Sequence, residues 1–347
     1  MSKDVPSPVA TVTNPGWTTS GLAGSPISSL QPQDEYLHPV PATAGYAWTE
    51  TSYWGFCVPE HDLMAEIYLW FHPALGTMSA GVLLWRGMQP TSLACDYVHH
   101  HHFLPMPEDI SHYFIEALGL EIQILDPLKS ARIALQDPER NVSFEVTFTG
   151  ALPPLGRPNG NHLVQPMHAC GSLNLYGEKI TIDGYFMRDR SWGAERHETP
   201  RDLPPITWMT GIIDQSWSFH LVAFDDPALG PEWAGRFSNP KAGENLIWGY
   251  LHEAGRTTSI RAARKRTLRE SDGVTPRGFE LEIEDEYGRV LPLRGIITAR
   301  APWATWQNVV VYYSLTRWEI DGRVAWGDCQ DIHYNRFVHE STNRRQT

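Results

Sequence analysis

Leu173-Asn174-Leu175-Tyr176-Gly177-Glu178-Lys179-Ile180-Thr181-Ile182 reads as two β-strands around a tight turn. Leu173 and Leu175 alternate with Asn174, and Ile180 and Ile182 with Thr181, the two-residue period of a strand with one face in a core. The pattern recurs on both sides. Phe144, Val146 and Phe148 alternate upstream, and Trp217, Phe219 and Leu221 downstream. Phe279, Leu281 and Ile283 alternate with Glu280, Glu282 and Glu284, and Asp285 to Arg289 then turns into Val290-Leu291-Pro292-Leu293. Val309 to Ile320 is a long β-rich run ended by the hairpin dipeptide Asp321-Gly322. Together these predict an all-β chain built from antiparallel sheet.

Helix signals are few. Pro107-Glu108-Asp109, followed by Ile110, Tyr113, Phe114 and Leu118, predicts one short helix, and Arg261 to Glu270 has helical propensity. There is no βαβ alternation and no glycine-rich phosphate loop after a strand, which argues against Rossmann and P-loop folds. Gly150 to Asn161 is the clearest linker. The expected organisation is a flexible arm over 1–35, a β domain over 36–160 and a second over 161–347. Two barrels or sandwiches would share a crevice there, a common place for ligands.

Composition narrows the function. The 347 residues suffice for one large or two ordinary domains. A net charge of −12 argues against a nucleic-acid surface, which needs an excess of Lys and Arg. The 14 Trp suggest aromatic-lined walls as well as core filling. Cys57, Cys95, Cys170 and Cys329 are far apart with no C-x-x-C pair, so a zinc knuckle or redox motif is not expected. A reduced, cytoplasmic protein follows by default. The start, Met1 to Ser29, lacks the apolar centre of a signal peptide, and no run approaches the ~20 apolar residues of a spanning helix, so no membrane insertion is expected. Long exposed edge strands would favour a homodimer.

The run Gly184-Tyr185-Phe186-Met187-Arg188-Asp189-Arg190-Ser191-Trp192-Gly193 stands out. Charges inside an apolar strand are costly unless paired, so the cluster is a structural ion pair or a site. Asp189 shares a face with Met187 and Ser191, while Arg188 and Arg190 face the other way. A carboxylate on an apolar face suits a general acid or base, or is simply held by backbone N–H groups. His168 lies one strand earlier and would approach Arg188 or Asp189 across the ladder, or else face solvent at a strand end. His99 to His102 can offer at most two rings to one ion from one strand face, and the plainer reading is a partly exposed strand with no metal. Asp214, Trp217 and His220 lie in or beside one strand, and Asp328, Gln330, Asp331 and His333 in another. For Asp328 and Asp331 turn capping is the expected role. Tyr53, Trp54 and Trp70 are pocket walls or plain core. No Gly-x-Ser-x-Gly elbow is present, which argues against serine hydrolysis.

Gly184 to Gly193, followed by Trp208-Met209-Thr210-Gly211 and Ser218-Phe219-His220-Leu221, resembles the hydroxyneurosporene synthase-like group, which includes carotenoid 1,2-hydratases and fungal isoflavonoid hydratases. The group's signature is a Gly, an apolar or aromatic pair, then Asp-His-x-Trp-Gly. Asp189, Trp192 and Gly193 match it, and Arg190 stands where His is common. The resemblance implies two tandem lipocalin-like halves with a shared hydrophobic cavity and a cofactor-independent lyase of hydratase type. The substrate would be a bulky terpenoid, steroid or aromatic compound. Asp189 would move the proton, His168 would tune it, and Arg188 or Arg190 would bind a substrate oxygen or orient Asp189. Tyr185, Trp192 and Trp217 would stack on the substrate, with His220, Tyr53 and Trp54 completing the wall. C–C cleavage releasing formaldehyde from a phenolic dimer, isomerisation, and a non-catalytic carrier of hydrophobic ligands are the alternatives.

Overall fold

The structure, a computed structural model, describes residues 12–14, 17–19, 30–158, 160–195, 203–229, 237, 243–306 and 308–343. Most of the arm expected over 1–35 lies outside the described residues. Within it, Val12–Asn14 (β1) and Trp17–Thr19 (β2) form a short hairpin.

The first large sheet holds β3 (Trp48–Val58), β4 (Leu63–His72), β5 (Thr77–Arg86), β6 (Tyr97–Pro105), β7 (His112–Ile115), β8 (Leu120–Asp126), β9 (Ser130–Asp137), β10 (Val142–Gly150), β11 (Leu155–Gly156), β12 (His162–Leu175) and β13 (Glu178–Glu195). Its order is β6-β5-β4-β3-β13-β12-β10-β9-β8-β7, with β11 paired to β12, so β6 and β7 are its two open edges. The second is a closed barrel of eight strands in chain order: β14 (Ile206–Asp214), β15 (Trp217–Phe224), β16 (Leu246–Glu253), β17 (Arg256–Arg269), β18 (Pro276–Asp285), β19 (Val290–Trp303), β20 (Val309–Ile320) and β21 (Arg323–Tyr334). One helix, α1 (Asn335–Asn343), follows β21. No helix among the described residues is long and apolar enough to cross a membrane.

The all-β expectation holds, as an open, curled sheet beside a closed barrel. The hairpin of the quoted stretch is β12 and β13, with Leu175 opposite Glu178. Neither expected helix is α-helical: the first holds the short strand β7 followed by a 3₁₀ turn at Glu116–Leu118, and the second is a strand. Around Tyr113 the burial alternates, with Tyr113 and Ile115 inside and His112 and Phe114 outside, so a two-residue period wins over the 3.6-residue reading. Arg261–Glu270 lies almost wholly in β17, where Ala263, Lys265 and Thr267 point inward between exposed neighbours. Pairing with β16 and β18 overrides the local helical propensity there. The Gly150–Asn161 stretch leads from β10 to β12 of the same sheet, so the passage between sheets falls later, between β13 and β14.

Each sheet has its own apolar interior, one around Trp54, Phe56 and Phe144 and one around Trp217, Phe219 and Trp318. A third cluster joins the two: Tyr53, Trp70, Trp85 and Met187 from the first sheet meet Trp208, Trp248, Trp303 and Tyr313 from the barrel. Backbone bonds stitch the seam as well, from Gln89 N to Arg300 O at 2.7 Å and from Arg300 N to Gly87 O at 2.9 Å.

Candidate functional site

The strand β13 separates scaffold from chemistry by simple alternation. On one face, Arg188 and Arg190 are each 1% exposed. Arg188 makes a forked ion pair with Glu35 at 2.6 and 2.8 Å, is held by Gln165 at 3.0 Å, and lies over the Trp54 ring at 4.6 Å. Arg190 pairs with Glu50 at 2.7 Å and donates to the carbonyls of Asp34 and Tyr36. Both guanidiniums therefore clamp residues 34–36 onto the sheet, and neither takes the substrate-facing role expected of it. Burial would raise the Glu35 pKa, but Arg188 outweighs it and holds the carboxyl below its usual range.

On the other face, Asp189 sits opposite Tyr53 in the ladder with β3, and Ser191 opposite Thr51, whose hydroxyls meet at 2.7 Å. The register then shifts between Ser191 and Ala194, leaving Trp192 and Gly193 as a bulge with Gly193 at φ 72°. A bulge re-aims a side chain. Here it brings Trp192, stacked on His38 at 4.3 Å, onto the same side as Ser191. The signature Trp-Gly is thus a backbone device as much as a pair of side chains.

Asp189, Ser191 and Trp192 line a chamber at the seam together with Tyr68, Arg157, His162, Trp208, Trp306 and Gln330. It encloses about 30 Å³, against the ~10–15 Å³ that one water needs. Within its wall, Trp306 donates to the Tyr68 hydroxyl at 2.7 Å. Arg157, 3% exposed, brings a guanidinium whose pKa burial pushes down to about 10.

Behind this wall lies a buried acid cluster. Asp328 on β21 is 2% exposed and accepts from the Tyr53 hydroxyl at 2.7 Å and from Gln330 Nε2 at 2.9 Å. Burial raises its pKa to about 7, against the pull of those two bonds. Glu66 on β4 is fully buried, and burial with the charges of Asp328 and Asp189 pushes its pKa well above the carboxylate range. Burial thus favours the protonated form of both carboxyls. Tyr53 packs among Tyr68, Trp208 and Tyr313, and its own pKa is driven well up, so its proton stays available for donation.

Sequence reasoning and structure part company over several residues. His168 pairs in register with Tyr185, four residues along β13 from Asp189, and bonds Asp183 at 2.7 Å on the surface. It does not reach Asp189, and Tyr185 stays beside it at 5.3 Å instead of lining the chamber. Trp217 points into the barrel interior, and Trp54 into the interior of the first sheet. His220 is behind the wall, packed on Trp208 and Trp248 at 4.9 and 4.7 Å, and burial drives its pKa down to about 3. Asp214 caps its own turn through Ser216. Asp331 is no turn cap: it is buried with Arg269 and His333, each at 2.6 Å. Asp328, expected as a turn cap, is instead buried against Tyr53 and Gln330, and Glu66 is the acid the sequence reading missed. The signal for Glu66 was a lone charge in Leu63-Met64-Ala65-Glu66-Ile67-Tyr68-Leu69-Trp70.

A wider hollow of about 770 Å³ opens on the first sheet between Leu30, Pro32, Leu128, Leu152 and Pro154. Its lining is largely apolar, and among the described residues Lys129 is its one ionisable side chain.

Residues 31–336 match the sequence model of a family described as a domain of unknown function, DUF7064. The chain belongs to this family. No curated protein matches its sequence. Among solved structures, this member of DUF7064 is similar to kievitone hydratase from Nectria haematococca, with 15% identity, a TM-score of 0.51, and coverage of 82% of this chain and 88% of that one. It is similar to a protein assigned as AttH from Nitrosomonas europaea, with 15% identity, a TM-score of 0.55, and coverage of 83% and 92%. It is also similar to CghA, solved with Sch210972, with 11% identity, a TM-score of 0.52, and coverage of 83% and 89%. At these identities the likeness is one of fold. The two-part all-β architecture expected from the resemblance is therefore present, and the family itself is DUF7064.

Proposed function

We propose that this DUF7064 protein is a cofactor-independent lyase of hydratase type, acting on a bulky hydrophobic molecule at the seam between sheet and barrel. The observation that carries the reading is Asp189 lining a water-sized chamber, paired in register with Tyr53, whose hydroxyl donates to the buried Asp328 carboxyl, where burial pushes the pKa up to about 7. Acids poised near the working pH are the ones that transfer protons well. In the hydration direction a protonated carboxyl gives its proton to a carbon–carbon double bond. A water held in the chamber adds to the cation, and the carboxylate takes back the surplus proton. Dehydration is the same path reversed. Trp192, Trp208 and Trp306 would flank the cation with their π faces. A hydratase among proteins of the same fold is in keeping with this chemistry.

The test is a mass-spectrometric screen of the full chain, without added cofactor, against terpenoids, steroids and phenolic dimers. A mass change of one water supports the reading, and loss of formaldehyde would move it to C–C cleavage. An unchanged mass with altered retention would mean isomerisation. On any substrate found, Asp189→Asn should lower kcat by ~10²–10⁴-fold. Full turnover in that variant would remove Asp189 from the chemistry. Ligands bound but never changed by the wild type would make the protein a carrier.

A further inference from the structure

The four consecutive histidines take no part in the chamber, yet two of them are arranged with care. β6 is a terminal strand, and alternation sends His99 and His101 to one face and His100 and His102 to the other. The Nε2 atoms of His99 and His101 lie 3.1 Å apart. With metal–nitrogen bonds of ~2.0–2.1 Å, two nitrogens of one shell are ~2.9 Å apart in an octahedron and ~3.3 Å apart in a tetrahedron. The observed spacing falls between the two.

The far side of His99 is prepared as well. The Tyr97 hydroxyl lies 3.1 Å from His99 Nδ1 and donates to Asp137 Oδ2 at 3.0 Å. With that proton directed to Asp137, the contact to His99 is made by an Nδ1–H, which leaves the Nε2 lone pair facing His101. A ring N–H tied to an oxygen that is itself tied to a carboxylate is how metal-binding imidazoles are oriented. Arg140 engages Asp137 at 2.6 Å, so its charge is matched locally. The other face differs: His100 packs edge-on to Trp303 at 5.3 Å, and His102 Nδ1 bonds Ser79 at 3.1 Å.

We propose that His99 and His101 form an open chelate for one divalent first-row transition-metal ion, with Tyr97 and Asp137 orienting His99. Among the described residues no three His, Cys, Asp or Glu side chains converge on one point, so water fills the remaining positions. The His99 side chain is 20% exposed, which leaves the pair open to solvent. The ion would brace β6 just before its ladder is interrupted, between Ala80 and Met78 opposite.

Zn²⁺ and Cu²⁺ are the probes, titrated into the full chain by calorimetry, with electron paramagnetic resonance for Cu²⁺. One ion per chain is expected, with coupling to two imidazole nitrogens and Cu²⁺ bound more tightly than Zn²⁺. His99→Ala or His101→Ala should each weaken binding ~100-fold or more, and Tyr97→Phe ~10–100-fold with the same stoichiometry. His100→Ala and His102→Ala should leave it unchanged, and circular dichroism checks that each variant is folded. Binding that survives His101→Ala, or that vanishes with His100→Ala, would overturn the assignment, as would the absence of any binding below millimolar ion.

Discussion

Asp328 makes the acid cluster measurable without a substrate. Its pKa is about 7 in the folded chain against 3.8 when unconstrained, so between those values the native state holds the proton and the unfolded state does not. Its contribution therefore favours folding at low pH, is lost progressively as pH rises from about 4 through 7, and flattens only about a unit above the folded pKa. The loss amounts to ~4 kcal/mol if Asp328 acts alone. Asp328→Asn has no such titration. Denaturant unfolding of both proteins between pH 4.5 and 9 should show the variant gaining on the wild type as pH rises, with the gap levelling off only above about pH 8. A gap independent of pH would mean that Asp328 is ionised throughout. Asp331 has the opposite sign, since Arg269 and His333 overcome burial and hold its carboxyl far below the usual range; its contribution is lost only in acid. Both aspartates lie on one strand and were open to the same sequence reading. What separates them is partners from strands remote in sequence, such as Arg269 beside Asp331 and Tyr53 beside Asp328, which no local pattern reveals.

At the scale of elements, the segment Pro32–Glu35 is a single 3₁₀ turn held down by the arginines of β13. Removing one member of a buried ion pair strands the other. Glu35→Ala should therefore cost ~3–5 kcal/mol. The double replacement Glu35→Leu with Arg188→Met should recover most of it, because an apolar pair of similar volume carries no desolvation penalty. Thermal melts of the two variants decide the matter, and a double variant no better than the single would show that the contact to Gln165 or Trp54 matters more than charge. The strands were legible where turn chemistry and alternation agree, as at Tyr176-Gly177 and in Phe279–Glu284. They were misread as helix where Ile110, Tyr113, Phe114 and Leu118 fall at helical spacing, although Phe114 faces outward from β7 and the buried partner of Tyr113 on its face is Ile115. The bulge at Trp192-Gly193 was invisible because register is a property of two strands and the sequence displays them one at a time.

Across the whole molecule, the sheet and the barrel share the apolar cluster around Tyr53, Trp208 and Trp303, and the Arg300 backbone bonds directly to residues 87 and 89 of the first sheet. Two units so joined should melt as one. Calorimetry should give a single transition with equal calorimetric and van't Hoff enthalpies. Trp303→Ala, by emptying the seam, should lower that one transition by an amount equivalent to ~3–5 kcal/mol. Two resolved transitions in the wild type would show that the seam is a contact and not a core.

The alternation along β13 bears on how the chain can change over generations. Substitutions in this strand act on one face at a time, but a change in its length acts on both. One residue inserted between Tyr185 and Asp189 would rotate everything beyond it by half a turn of the pleat. The arginines would then point into the chamber, and Asp189 would point at Glu35 and Glu50. The clamp on residues 34–36 and the acid of the chamber would fail in the same event. Spacing in this strand is accordingly under tighter constraint than the identity of most of its residues. Relatives that have drifted far in sequence are expected to keep the interval from the hairpin at Tyr176-Gly177 to Asp189 unchanged.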